Sequence, residues 1–325
     1  MIEDISLGSA SRLTTAVGCA KKYQFQYVDK IPQKDGGSFI LGNAVHNGLE
    51  RWWELEDGLR KVPGSLLVCV EQCWDELLPP GLKRRVDKEL AVFDKVAAIT
   101  SAIKLARPSI VNVSATKDYK TAPEVQELMG LTQKTLNWLE ANSSSIRWSK
   151  AEPPIKTWAV MLAIAQRLED EWISKPRPYM VENSFSFEHE GFEWRGRIDV
   201  YGPIDSNGEL TPKLIDWKSG VQMPTQMDYF FQATVYHLAM TQHFNLPIDE
   251  IEFFMLRPHV PVTVKIVPEK HYPLLFKYRQ HMENAFNKDK IFLPSYSFAC
   301  KMCDYQKFCA AELDIFVNKD KDNNE

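Results

Sequence analysis

The order of apolar and polar positions divides the chain into a helical first half and a mixed second half. Residues 9–30, SASRLTTAVGCAKKYQFQYVDK, predict a helix: Ser9 suits an N-cap, and Leu13, Val17 and Ala20 are spaced for one face. A Pro/Gly-containing turn follows, and a second helix is expected over 39–59, completing an N-terminal unit over 1–60. Amphipathic runs such as SLLVCVEQCWDELL and KTWAVMLAIAQRLEDEWIS, separated by polar or proline-containing joints, predict a helical insertion or subdomain over 61–178. The pattern then changes. YMVENSFSFEHEGFEWRGRIDVYG alternates and ends in a turn, so two strands are expected, and TPKLIDWKSG supplies a third. QMDYFFQATVYHLAMTQHF reads as a helix, IEFFMLRP and VTVKIV as strands, and HYPLLFKYRQHMENAFNK as a last helix. This order predicts an α/β core with flanking helices over 179–311 and a polar, fraying tail over 312–325.

Two of those strands carry charge where apolar residues are expected. Alternation along FEWRGRIDVY puts Phe192, Trp194, Ile198 and Val200 on one face and Arg195, Arg197, Asp199 and Tyr201 on the other. In KLIDWK, Asp216 and Lys218 share a face, opposite Ile215 and Trp217. A hairpin across 202–210 would bring Asp199, Asp216 and Lys218 together. Two carboxylates seat a hard divalent cation such as Mg²⁺ or Mn²⁺, the Trp217 backbone carbonyl could add an oxygen, and an adjacent lysine could steady a phosphoryl transition state. The same three residues would equally suit a buried ion pair or solvated hairpin charges, because D-x-K is a short pattern.

Composition narrows the classes. The chain has 325 residues, 44% of them hydrophobic, which suffices for a sizeable core. Its formal net charge of −4 excludes a broadly basic nucleic-acid coat, so an anionic partner would have to meet a local patch or a bound metal. No apolar run approaches the roughly 20 residues of a membrane span, and MIEDISLGSASRL does not read as a secretion signal. A reducing, cytoplasmic setting is therefore expected. There, clustered cysteines more often bind metal than form disulfides. Cys300, Cys303 and Cys309 lie in ACKMCDYQKFCA with C-x2-C-x5-C spacing. Of the candidates for a fourth ligand, Cys69 and Cys73 sit i, i+4 in an apolar run and suit packing, whereas Cys19 lies in polar-flanked VGCAKKYQF. Four thiolates suit zinc or an iron–sulfur cluster.

Further residues fall into a recognisable order. GNAVHNGLE places His46 on a helix, and QATVY places Gln232 and Tyr236 i, i+4 on one helix face. The succession His46, G-R-I-D at Asp199, D-W-K at Asp216 and Lys218, then Gln232 and Tyr236, resembles the RecB-like branch of the PD-(D/E)XK nuclease superfamily. SASRL and the strand carrying Glu182, a supporting acid, fit that branch as well. The resemblance covers roughly the first 60 residues and 179–310, leaving out the helical insertion. It departs from the family pattern in having no proline before Asp199 and Asp rather than Glu at 216, both common in that branch. The resemblance implies a restriction-endonuclease-like core and a metal-dependent DNA exonuclease acting at free ends, in recombination, repair or phage DNA processing. It assigns Asp199, Asp216 and His46 to the metal, Lys218 to the attacking water, and Gln232 and Tyr236 to orienting the lysine or contacting the backbone. It further implies a [4Fe-4S] cluster on Cys19, Cys300, Cys303 and Cys309, stapling the two ends of the chain around the core, as in AddB-type and CRISPR-associated relatives.

Cations for DNA are sought near the site: Arg12, Lys21 and Lys22 on the first helix, Arg195 and Arg197 beside Asp199. Tyr23, Phe25 and Tyr27 suit base stacking or, more commonly, core packing. KRRVDK at 83–88 suits a solvated face. No G-x-x-x-x-G-K-[ST] loop occurs, so no ATP binding is expected, and unwinding would need a separate helicase or recombination partner. The competing expectations are a catalytically idle, cluster- or zinc-bearing DNA-binding subunit of a repair complex and a zinc-stapled interaction protein.

Overall fold

A computed structural model describes residues 7–33, 35–78, 146–147, 154–206, 209–220 and 229–312. The N-terminal helices are α1 (Ala10–Gly18) and α2 (Ala20–Tyr23), followed by a π-helical turn over Gln24–Val28. Next come β1 (Asp35–Gly36), α3 (Gly37–Glu54), α4 (Asp57–Arg60) and α5 (Ser65–Leu77). β2 (Ile146–Arg147) pairs in parallel with β1 and precedes α6 (Pro154–Trp172). The main sheet comprises β3 (Met180–His189), β4 (Phe192–Ser206), β5 (Glu209–Lys218), β6 (Glu250–Met255) and β7 (Val260–Lys265), in that spatial order. α7 (Phe230–Gln242) joins β5 to β6, which pair in parallel, and α8 (Pro268–Asn287) follows β7. A 3₁₀ turn at Phe298–Met302 and α9 (Gln306–Glu312) close the described chain.

The sheet separates two cores. On one side Leu41, Val45, Leu49 and Trp52 of α3 pack with Val70 and Trp74 of α5, Leu168 and Trp172 of α6, and Val200, Ile215 and Trp217 of the sheet. On the other, Leu13 of α1, the buried run of α7 and Leu275 and Phe286 of α8 cover Trp194, Ile198, Leu214 and Phe253. This is a mixed α/β sandwich, as the element order predicts. The described ends of the 61–178 segment, α5 and α6, lie directly on α3. The 83–88 basic run and the tail beyond 312 fall outside the described residues.

Three local features differ from the sequence pattern. First, the expected continuous helix over 9–30 breaks at Cys19, which is extended (φ −161°, ψ 106°) between α1 and α2, just after Gly18. Second, the turn-like stretch at 202–210 is mostly strand: β4 and β5 stay paired to Ser206↔Glu209, with Pro203 opposite Pro212, so their missing N–H donors fall on one rung. The two residues left between the strands are the strongest turn signal of the stretch, Asn207-Gly208. Third, Ile198 and Val200 do not share a face: Ile198 packs in one core and Val200 in the other. β3 switches too, with Phe185 in one core and Val181 against the other. The switch centres on Glu182 and Asp199, the one rung absent from the described β3–β4 ladder between Met180↔Tyr201 and His189↔Phe192. Glu182 there adopts φ +48°, a left-handed value for a non-glycine residue that costs about 1–3 kcal/mol.

Two contacts fix the helical layer behind the site. The buried Glu169 carboxylate of α6 accepts the Gly64 and Leu66 N–H groups at 2.8 and 2.9 Å, capping α5 from a neighbouring helix. Gly48 of α3 lets α5 approach so closely that a Cβ there would sit 2.4 Å from Val70 Cγ2 and 2.7 Å from its Cα. Gly48→Ala is therefore expected to lower stability by about 1–3 kcal/mol through overpacking, read as a lower urea midpoint with unchanged slope.

Candidate active site

The end of β5, the switch point of β4, and one face each of α3 and α7 line a cleft of about 270 Å³. His46, Asp199, Asp216, Lys218, Gln232 and Tyr236 all line it, with Phe39, Gly42, Asn43, Asn47, Arg197 and Ser219. α3 presses so tightly on the end of β5 that a Cβ at Gly42 would lie 2.6 Å from Ser219 Oγ.

Asp216 is the most constrained of these groups. Its Oδ1 accepts hydrogen bonds from Gln232 Nε2 at 2.7 Å and Tyr236 Oη at 2.8 Å, and Lys218 Nζ stands 2.5 Å from Oδ2. Gln232 also donates to Tyr236 Oη at 2.9 Å, so the i, i+4 pair on α7 acts as one clamp. Burial, reinforced by the negative charge of Asp216, pushes the Tyr236 phenol well above its ordinary pKa, which keeps it a neutral donor. Lys218 Nζ lies 5.6 Å from the ring centres of both Tyr229 and Phe253, whose stacked rings steady its ammonium.

Asp199 closes the site from β4. The β4–β5 ladder ends at Val200↔Ile215, and beyond it the Trp217 N–H donates to Asp199 Oδ2 at 2.8 Å. The Trp217 carbonyl accepts from His46 Nε2–H at 3.0 Å, which turns His46 Nδ1 toward Glu182 Oε1 and Asp199 Oδ2, each 3.5 Å away. Burial works against a charged imidazole, but the hydrogen bond to Glu182 and the charges of Asp199 and Asp216 outweigh it and raise the His46 pKa. Arg197 Nε meets Glu182 Oε2 at 2.6 Å while its side chain stays 54% exposed.

Glu182, Asp199 and Asp216 are only 8, 8 and 1% exposed: two of the carboxylates line the cleft and Glu182 is buried beside His46 and Asp199. Burial, then repulsion from Asp216, pushes the Asp199 carboxyl up to about 7. Both Glu182 carboxylate oxygens and Asp216 Oδ2 are buried, with ionisable partners against them: Arg197 at Glu182 Oε2, the His46 ring at Glu182 Oε1 and Lys218 at Asp216 Oδ2. One ligand atom each from His46, Glu182 and Asp199 lies within 4.8 Å of the others. Buried acidic oxygens grouped beside an imidazole nitrogen form a donor set that fits a hard divalent cation.

A model of the PD-(D/E)XK nuclease superfamily matches residues 8–120 and 120–310. The chain belongs to that superfamily. No curated protein compared with it matches. Its reaction class is accordingly divalent-metal hydrolysis of a phosphodiester, with DNA as substrate. The superfamily match also runs through 61–178, which the motif resemblance leaves out.

The remaining candidate residues are dispersed around this nuclease core. Cys19 Sγ accepts from the Ser295 N–H at 3.4 Å, and Cys300 Sγ accepts from the Ser297 N–H at 3.5 Å. Burial raises the Cys309 thiol pKa, and Cys19, Cys303 and Cys300 add to the shift, but no three of these sulfurs lie within 4.8 Å of one another as the His46, Glu182 and Asp199 ligand atoms do. Cys69 and Cys73 are buried in the core between α3 and α5. Lys21 is buried and pairs with Glu312 and Gln24, Arg12 lies over the Tyr27 ring, and Tyr23 and Phe25 pack inside. Lys22 and Arg195 are exposed but do not line the cleft. Phe39, Asn43 and Asn47 escape motif reading because an ordinary helix accommodates all three. Their i, i+4, i+8 spacing with His46 nearby is the signal that could have found them.

In the metal-free nuclease, Asp199 holds its proton up to about pH 7, whereas an unfolded aspartate releases it near 4. Stability of the metal-free fold should therefore fall as pH rises from about 4 through 7. A cation that replaces the proton should reverse this. Adding Mn²⁺ or Mg²⁺ is expected to raise the melting temperature clearly at pH 8 and little at pH 5, with the difference abolished in Asp199→Asn, as scanning calorimetry would register.

Proposed function

We propose that this protein is a RecB-like DNA exonuclease, cutting phosphodiester bonds at free DNA ends in recombination, repair or phage DNA processing. The observation that carries the proposal is the meeting of Asp199, Asp216 and Lys218 in one cleft, with Glu182 and His46 completing a donor set. Asp199, Asp216, Glu182 and His46 would hold the divalent cation, with the Trp217 carbonyl beside them. When bound, the cation supplies positive charge against the developing phosphoryl oxygens and acidifies water. Gln232 and Tyr236 fix Asp216 through Oδ1 and leave Oδ2 to face Lys218. The Lys218 ammonium then donates a hydrogen bond toward the attacking water or the phosphate, where negative charge grows. Arg197, tied at Nε, keeps its other guanidinium nitrogens for a strand phosphate.

An iron–sulfur cluster on Cys19, Cys300, Cys303 and Cys309 belongs to the same proposal. Backbone N–H groups directed at two of the sulfurs suit cluster thiolates. The chain ends also meet through the Lys21 N–H to Leu293 carbonyl bond at 3.2 Å, the Tyr305 hydroxyl to Ile31 carbonyl bond at 3.3 Å, and the Phe25–Tyr305 contact. A cluster would join segments that already touch, and ligation would add to folding free energy.

End-labelled linear DNA tests the chemistry. Lys218→Ala should fold normally and keep its colour while losing at least about 100-fold in Mg²⁺- or Mn²⁺-dependent cleavage. Undiminished cleavage by this variant would remove the lysine from the mechanism. For the cluster, purified wild type should be brown, and Cys303→Ala should lose the visible absorption together with several degrees of melting temperature. A colourless, zinc-loaded wild type would favour zinc, and a colourless variant of unchanged stability would refute a structural staple.

A further inference from the structure

Among the described aromatic side chains with large exposure, Phe39 is the one that lines the active-site cleft. Its neighbours in this class, Tyr179, Tyr278, Tyr296 and Phe308, do not line it. Phe39 is 55% exposed, whereas Ile40 and Leu41, next in sequence, are buried in the core that α3 shares with α5 and α6. It sits in the first turn of α3, about 10 Å along the helix axis from His46, the residue of the same helix that faces the carboxylates. Asn43 between them and Asn47 just beyond His46 line the same wall, and neither amide is engaged by another described residue. α3 thus presents a path that is polar beside the catalytic groups and ends in an aromatic face.

We infer that Phe39 is a stacking platform for a base of the bound strand, one that flanks the scissile phosphate rather than carrying it. This rests on the nuclease reading above and deepens it by assigning a base-recognising subsite. A strand whose phosphate reaches Asp199, Asp216 and Lys218 passes along α3, and its neighbouring base meets an open ring. Aromatic stacking of this kind accepts any base through its π-face, and it requires that the base be unpaired at that point. The polar position at Asn43 leaves the intervening sugar and phosphate solvated. Phe39 acts here as a positioning residue, since it does not reach the reacting atoms. Its exposure means that truncating it should leave the fold intact, so a change in cleavage reports on substrate.

An abasic walk tests the subsite. Oligonucleotides with one abasic residue placed at successive positions are cut by wild type, Phe39→Ala and Phe39→Trp, all with unchanged melting temperatures. Wild type should slow about 10-fold when the missing base falls at one fixed distance from the cut. Phe39→Ala should cut the intact strand slower by a similar factor and lose that positional sensitivity, while Phe39→Trp should retain both speed and sensitivity. A Phe39→Ala loss that is equal at every abasic position, or no loss at all, overturns the subsite while leaving the nuclease reading in place. A wild type that cuts none of the strands overturns the nuclease reading and the subsite with it.

Discussion

The constraint on which the rest of the molecule turns is the burial of three carboxylates at and beside one cleft. Glu182, Asp199 and Asp216 come from three neighbouring strands, and each would be more stable in water than where it stands. The fold holds them there against desolvation and mutual repulsion. Two cores grip the sheet from opposite sides, α7 clamps Asp216 through two hydrogen bonds, and the Trp217 backbone engages Asp199 and His46 from its two ends. Removing any of these supports would leave a buried charge free to rotate or protonate. Such an arrangement is costly for stability alone and useful for holding a cation.

The strained rung between β3 and β4 is how the backbone delivers these groups. A regular ladder would put Asp199 on one face and fix Glu182 by simple alternation. The left-handed Glu182 and the absent rung let both strands turn over together, so apolar neighbours on either side enter different cores while the two acids stay at the seam. Strain concentrated at such a point is characteristic of functional positions. The second end of the molecule is organised differently. There the break at Cys19 directs a thiol toward the C-terminal segment, and backbone hydrogen bonds and ring contacts hold the two termini in register.

Much of this was legible in the residues. Period-two alternation gave the strands, the i, i+4 pair Gln232 and Tyr236 predicted one helix face, and the D-x-K spacing predicted that Asp216 and Lys218 would share a side. Those signals survive because they depend on local geometry alone. The face switch at Asp199 was not legible, since it depends on the conformation of Glu182, a residue 17 positions away in sequence and adjacent only in the sheet. The break at Cys19 was hidden by Leu13, Val17 and Ala20, which keep helical spacing across it, and the length of the β4–β5 hairpin by prolines that normally end strands. Lys21 looked available to DNA because its partner Glu312 lies at the far end of the chain.

The most direct test of the central claim is anomalous diffraction from a crystal soaked in Mn²⁺. The account predicts a single strong anomalous peak in the cleft, within coordination distance of Asp199 and at least one further carboxylate or the His46 ring. A well-ordered crystal with no peak there, or with manganese bound only elsewhere on the molecule, would contradict it.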